Sequence, residues 1–130
     1  MTDEEIKALS SAALAHMGDA VYELLVREML CREGRLTAGS LHKDTVRYVA
    51  APAQARYAAL LLPKLDEEEQ AVFRRARNAH SHAAPKGATE GEYHAATALE
   101  ALFGWLYLKD RRERIRELFA LMLEEAAHGA

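Results

Sequence analysis

A chain of 130 residues that is half hydrophobic is long enough for one compact domain with a sizeable core, residues 1–130. Its formal charge of −3 creates no global positive field, so a nucleic-acid partner would have to be held by a local patch. The single cysteine, Cys31, excludes an intrachain disulfide and suits a reducing compartment.

The first twenty residues place acids where a signal peptide needs a positive n-region. No uncharged stretch reaches the length and hydrophobicity of a membrane span, so the expectation is a soluble, cytoplasmic protein without a membrane partner. β-Branched residues are few and scattered, while alanine and leucine recur at helical spacing, which predicts an all-α fold. A helix over 11–32 has Ser10 or Ser11 as N-cap and Gly34 as its C′ residue. Cys31, near its end, reads as a small buried hydrophobe rather than a reactive thiol. Ser40 can cap a second helix running to about residue 50, and Pro52 suits the first turn of a third that ends near Pro63. Asp66 with Glu69 makes a capping-box start for a fourth helix, with acids in its first turn and arginines in its last. Residues 80–91, with one proline and two glycines, predict a loop. A long apolar helix follows over 92–108, and an amphipathic charged helix over 110–126 closes the chain.

Glu100 is the one charged residue in the run ATALEALFGWLYL, residues 96–108. It either lies on a solvent edge or pairs with a distant group, because an unpaired ionised carboxylate in a dry interior costs many kcal/mol. In the first helix, His16, Asp19, Ala20, Glu23 and Arg27 share one face, while Leu14, Met17, Val21 and Leu24 or Leu25 share another. Glu23 and Arg27 have the spacing of an ordinary i,i+4 salt bridge. Asp19 is stranger, since aspartate is a poor mid-helix residue and the preceding Gly18 is worse. Gly104 repeats this combination beside Glu100. Two helices, each with a glycine for close packing and an acid nearby, can cross and bring Asp19 and Glu100 together, where a hard divalent cation such as Mg²⁺ relieves their repulsion.

Residues 66–69 are four consecutive acids, whereas 71–88 hold Arg74, Arg75, Arg77 and Lys86, two histidines and no acid. This basic segment is the best candidate for following a phosphate backbone, although it also complements the acids before it. His80 and His82 suggest a zinc pair, but only His94 and Cys31 are left to complete it. A di-iron bundle needs two Glu-x-x-His repeats in its core, and the one instance, Glu125 to His128, lies at the end of the chain.

Three stretches carry a resemblance. LAHMGDAVYELLV (14–26) resembles the signature helix of the ribonuclease III family, with its Gly-Asp-Ala followed by apolar residues and often a Glu. TALEALFGWLYL (97–108) resembles that family's second catalytic helix, and residues 33–55 resemble the segment between them. The Leu41-His42-Lys43 and Arg77-Asn78-Ala79 triplets, with no double-stranded-RNA-binding domain, are similar to the short bacterial Mini-III branch. The match spans nearly the whole chain.

The resemblance implies an all-helical homodimer that cleaves double-stranded RNA with Mg²⁺, with Mn²⁺ as a substitute. For the short branch it also implies maturation of the large-subunit (23S) ribosomal RNA precursor, with a ribosomal protein as a candidate partner. The family's essential aspartate falls on Asp19 and its essential glutamate on Glu100, as metal ligands. Two further family acids fall on Ala15 and Thr97, a reduced pattern that Mini-III enzymes share. Thr97 and Glu23 are candidates for positioning water. Arg74, Arg75, Arg77, Asn78 and Lys86 are the expected RNA contacts, with His42 and Lys43 as weaker ones. Phe103, Trp105 and Tyr107 are candidates for a dimer interface, with core packing the alternative for at least two of them. Read without the resemblance, the residues also allow a non-catalytic RNA-binding or ribosome-assembly module, or a protein-interaction domain built on the C-terminal amphipathic helix.

Overall fold

A computed structural model describes residues 1–34, 37–79 and 84–128, with nothing of the His128 side chain. Among the described residues there are seven α-helices and no strand, in agreement with the all-α expectation. They are α1 (Asp3–Lys7), α2 (Ser11–Arg32), α3 (Ala38–Val49), α4 (Ala51–Leu61), α5 (Glu67–Arg77), α6 (Glu90–Leu108) and α7 (Arg112–His128). A single 3-10 turn, Leu62–Lys64, follows α4. No described helix is long and apolar enough to cross a membrane.

The helix boundaries follow from local hydrogen bonding. Ser10 caps α2, its side chain accepting from the Ala13 amide, and Gly34 beyond its C-terminus has φ 81°, a conformation that favours glycine. The predicted capping box of α5 is present, with Asp66 and Glu69 each bonding the other's backbone amide. Three starts differ from expectation. Thr37, not Ser40, caps α3, because its hydroxyl accepts from the Ser40 amide. α6 begins at Glu90 rather than Glu92, since Thr89 and Glu92 form a second capping box that overrides Gly91. A third box, Thr2 with Glu5, creates the short α1 that apolar periodicity did not reveal. His80 and His82 lie outside the described residues.

α6 is the central helix. Ala98, Leu99, Ala101, Leu102, Phe103 and Leu106 have essentially no exposure, enclosed by α2, α4, α5 and α7. Tyr22 of α2 is also fully buried, stacks on Phe103 with ring centroids 5.8 Å apart, and meets Phe119 of α7 edge-on at 6.1 Å. Phe103 and Trp105 therefore belong to the core of this chain. Trp105 is further covered by the Arg111 guanidinium, 4.9 Å from its ring centroid, and Tyr107 carries Arg112 at 4.8 Å. Leu24 does not join the predicted apolar face: it is 67% exposed, and Leu25 packs on the core instead. Cys31 is exposed, contrary to the buried reading, because the last turn of α2 presents it outward while Leu30 takes the inner position.

A long-range ion pair ties α7 to α5. The Glu69 carboxylate is 1% exposed and is held by two Arg114 bonds, Nε to Oε2 and Nη2 to Oε1, both 2.8 Å. Burial alone would raise its pKa, but the Arg114 and Asp66 hydrogen bonds outweigh that and leave it below the ordinary carboxylate value.

Candidate active site

The crossing of α2 and α6 is closer than side chains allow. A Cβ placed on Gly18 would run into the carbonyl of Glu100 and come within 2.8 Å of the Gly104 amide nitrogen. One placed on Gly104 would meet the Leu14 carbonyl and approach the Gly18 nitrogen to 2.9 Å. Each glycine is thus required by the other helix's backbone, a physical reason for the helix-weakening Gly-Asp step.

Asp19 and Glu100 emerge side by side from this pinch. They line one pocket with Thr97, His16, Tyr93 and His94, while Ala76 and Ala79 bring the end of α5 to its wall. The cavity has a volume of about 250 Å³ and opens to solvent. Asp19 is exposed and Glu100 is partly buried. Burial raises the Glu100 pKa to about 8, with the Asp19 charge and a hydrogen bond between the two carboxyl groups acting in the same direction. The Gln54 side chain, hydrogen-bonded to Glu100, works against them. At neutral pH, with no cation, Glu100 therefore keeps its proton and shares it with Asp19.

The remaining predicted residues divide. Thr97 stands in the pocket, but Glu23, one turn beyond Asp19, is ion-paired with Arg27 at 3.1 Å on the outer face. Arg74 and Asn78, the C-cap of α5, are exposed. Arg77 lies over the Phe73 ring at 5.7 Å. Arg75 is engaged within the chain: its Nη2 donates to the Leu9 carbonyl at 2.8 Å and its Nε to the Ser11 hydroxyl at 3.4 Å, fastening α5 to the α1–α2 connection. Lys86 is exposed in the turn before α6. His42 and Lys43, exposed on α3, are not in the acid pocket; His42 lines a separate groove with Arg27, Cys31 and Leu41. Gln54 carries no motif of its own, although it stands at helical spacing with Tyr57, Ala58 and Leu61 on the buried face of α4.

Comparison with known proteins agrees with this architecture. Residues 12–111 match the family described as Ribonuclease III domain, a span that contains both glycines and both acids. A Mini-ribonuclease 3 of Symbiobacterium thermophilum is 48% identical over 110 residues, covering 85% of this chain and 85% of that protein. One from Thermoanaerobacter is 40% identical over 124 residues, covering 95% and 87%. A crystal structure of a protein from Fusobacterium nucleatum superimposes with a TM-score of 0.81 at 32% identity, covering 88% of this chain and 93% of that one. With the family match across the α2–α6 crossing and this degree of identity over most of its length, the chain belongs to the ribonuclease III family, and within it to the Mini-ribonuclease 3 group of endoribonucleases.

Proposed function

We propose that Asp19 and Glu100 hold a divalent cation, Mg²⁺ or Mn²⁺ in its place, and that the chain, acting as one catalytic domain, uses this site to cleave double-stranded RNA, above all the precursor of the large-subunit ribosomal RNA. The observation that carries this reading is the glycine pinch, which presses two carboxyl groups together at the mouth of a solvent-open pocket.

The residues fit the ion. Two hard oxygen donors stand together, and one of them keeps its proton unless a positive charge replaces it. No group of three or more His, Cys, Asp or Glu side chains placed to hold a metal occurs among the described residues. Mg²⁺ needs none, since it keeps several waters and commonly takes one or two carboxylates with substrate phosphate oxygens. When bound, the cation supplies Lewis-acid stabilisation of charge developing on the scissile phosphodiester and eases deprotonation of the attacking water. The chain contributes placement: Asp19, short and fixed beside a glycine, and Glu100, one helical turn from Gly104, define the binding point. The Thr97 hydroxyl, in the same pocket, orients water, while Glu23 acts at most from a distance because Arg27 already engages it.

Duplex RNA is recognised by shape, phosphates and 2′-hydroxyls rather than by bases in its narrow major groove. Arg74, Arg77, Asn78 and Lys86 supply contacts to the phosphates. Arg75 contributes less, and His42 and Lys43 touch only RNA that extends beyond the pocket. A homodimer places two such sites to cut both strands, and a ribosomal protein bound to the precursor is a further candidate partner.

Competition among three substrates of one sequence tests the substrate class. Cleavage of duplex RNA, with single-stranded RNA and duplex DNA left intact, is the expected result; equal cutting of all three would contradict it.

A further inference from the structure

Besides the two acids and Thr97, the polar side chains lining the acid pocket are Ser11 and His16 on α2 and Tyr93 and His94 on α6. Two of these four are engaged elsewhere. The Ser11 hydroxyl accepts from Arg75 Nε at 3.4 Å, and the His94 ring, its side chain 15% exposed, stands with Nε2 3.7 Å from the Glu90 carboxylate in the first turn of α6. His16 stands one helical turn before Asp19, on the acid's own helix. Tyr93, half-buried, is the pocket hydroxyl for which the scheme above has no use.

Its place is fixed by the start of α6. Thr89 and Glu92 close the capping box, and the Tyr93 amide donates to the Thr89 carbonyl at 2.9 Å. The Tyr93 ring lies against His94 with centroids 6.0 Å apart, and the Glu90 carboxylate accepts from the Ala84 amide at 3.2 Å, holding the preceding turn to this end of the helix. Tyr93, Thr97 and Glu100 follow one another at spacings of four and three, on one face of α6. At a rise of about 1.5 Å per residue, Tyr93 stands about 10 Å along the axis from Glu100. That sets it beyond a phosphate held at the two acids, over the nucleotide next to it.

Charge decides which part of that nucleotide can enter. The described residues lining the pocket include two carboxyl groups and no lysine or arginine, so a phosphate other than the one on the cation is repelled. A neutral sugar is not. A phenol offers the sugar an apolar ring to pack against and a hydroxyl that both donates and accepts. The 2′-hydroxyl, itself donor and acceptor, is the group by which a protein tells RNA from DNA at a given site.

Building on the proposed cation site and its duplex substrate, we infer that Tyr93 is a specificity-determining residue. Its hydroxyl bonds the ribose 2′-hydroxyl of the nucleotide beside the cleaved phosphate, and so selects RNA over DNA at the point of cutting.

The test pairs Tyr93→Phe, which removes one oxygen, with RNA duplexes carrying a single 2′-deoxynucleotide at each position around the mapped cut. kcat/KM is measured with Mg²⁺ for every combination, beside thermal melting of both proteins. In wild type, one deoxy position beside the cleaved phosphate should lower kcat/KM about 3–10-fold, the effect of losing one hydrogen bond. Tyr93→Phe should lose the same factor on the all-RNA duplex and nothing further at that position, while deoxy substitutions elsewhere act alike on both proteins. A purely structural role of the hydroxyl would not produce this non-additivity. Equal deoxy penalties in the two proteins at every position, or a folded Tyr93→Phe that cuts the all-RNA duplex as fast as wild type, would overturn the inference. If Tyr93→Phe does not fold, Tyr93→Met is read by the same criteria. Asp19→Asn is measured in parallel on the all-RNA duplex. Cutting retained there would overturn the cation site itself, whereas loss there with equal deoxy penalties would overturn the role of Tyr93 alone.

Discussion

Replacing Glu100 by Gln is expected to abolish cleavage and, without metal, to stabilise the fold at alkaline pH. In the native protein Glu100 keeps its proton up to about pH 8, whereas its ordinary value is 4.5. Between those two values the native state binds a proton that the unfolded chain has released. The associated stability is therefore complete below about pH 4.5 and is lost progressively as pH rises toward 8. Each pH unit across that window is worth about 1.4 kcal/mol, giving a ceiling of about 5 kcal/mol. Residual solvent contact of the side chain reduces the expectation to about 2–3 kcal/mol. The substitution removes one titratable group and leaves the rest of the sequence unchanged, so the difference between the two proteins reports on Glu100. Urea unfolding in EDTA at intervals from pH 5 to 8.5 is the assay. Wild type should lose stability relative to Glu100→Gln as pH rises, and Mg²⁺ should restore wild type most at the alkaline end, where it no longer competes with a proton. Parallel curves for the two proteins in EDTA would mean that Glu100 titrates normally and that burial beside Asp19 does not hold its proton.

Gly18→Ala should cost about 2 kcal/mol or more in chemical denaturation despite alanine's better helix propensity, because the added methyl meets the Glu100 backbone rather than a movable side chain; a neutral or stabilising result would show that the crossing is looser. Arg114→Met should destabilise by about 3 kcal/mol, since it strands the buried Glu69 carboxylate. Glu69 titrates below its ordinary value, so its contribution is present above about pH 4.5 and disappears as pH falls through the native value; the variant's deficit, followed by thermal melting, should shrink in acid. Arg74→Ser should weaken duplex binding and reduce the magnitude of the salt slope by about 0.7–0.9, while Arg75→Ser should mainly lower the melting temperature by releasing the Leu9 carbonyl. Equal effects of the two arginines on the salt slope would merge the roles that their contacts separate.

Local chemistry explains what was legible in the chain. The Asp66–Glu69 box, the Ser10 cap and Gly34 are short-range devices, readable at three or four residues' distance. Gly18-Asp19 and Gly104 were legible for another reason: each violates helix propensity, and the violation pointed to the crossing that places Asp19 beside Glu100. Thr89-x-x-Glu92 carried an equally readable signal, but the glycines around it suggested a loop and shifted the start of α6. Leu24 and Leu25 fall close enough on the helix that periodicity alone did not decide which is buried. Glu69 with Arg114 and Gln54 with Glu100 join residues 45 and 46 positions apart, and such pairings depend on how helices dock rather than on local spacing. Arg75 shows the reverse: charge pattern grouped it with the phosphate contacts, and docking turned it toward Leu9.

The most direct test of the shared cation site is cleavage of an end-labelled RNA duplex, including a ribosomal precursor stem, by wild type, Asp19→Asn and Glu100→Gln, each with Mg²⁺ and with EDTA. Wild type should cut with Mg²⁺ alone, and neither variant should cut although both remain folded and bind the duplex. Cutting retained in EDTA, or in a folded Asp19→Asn or Glu100→Gln protein, would contradict it.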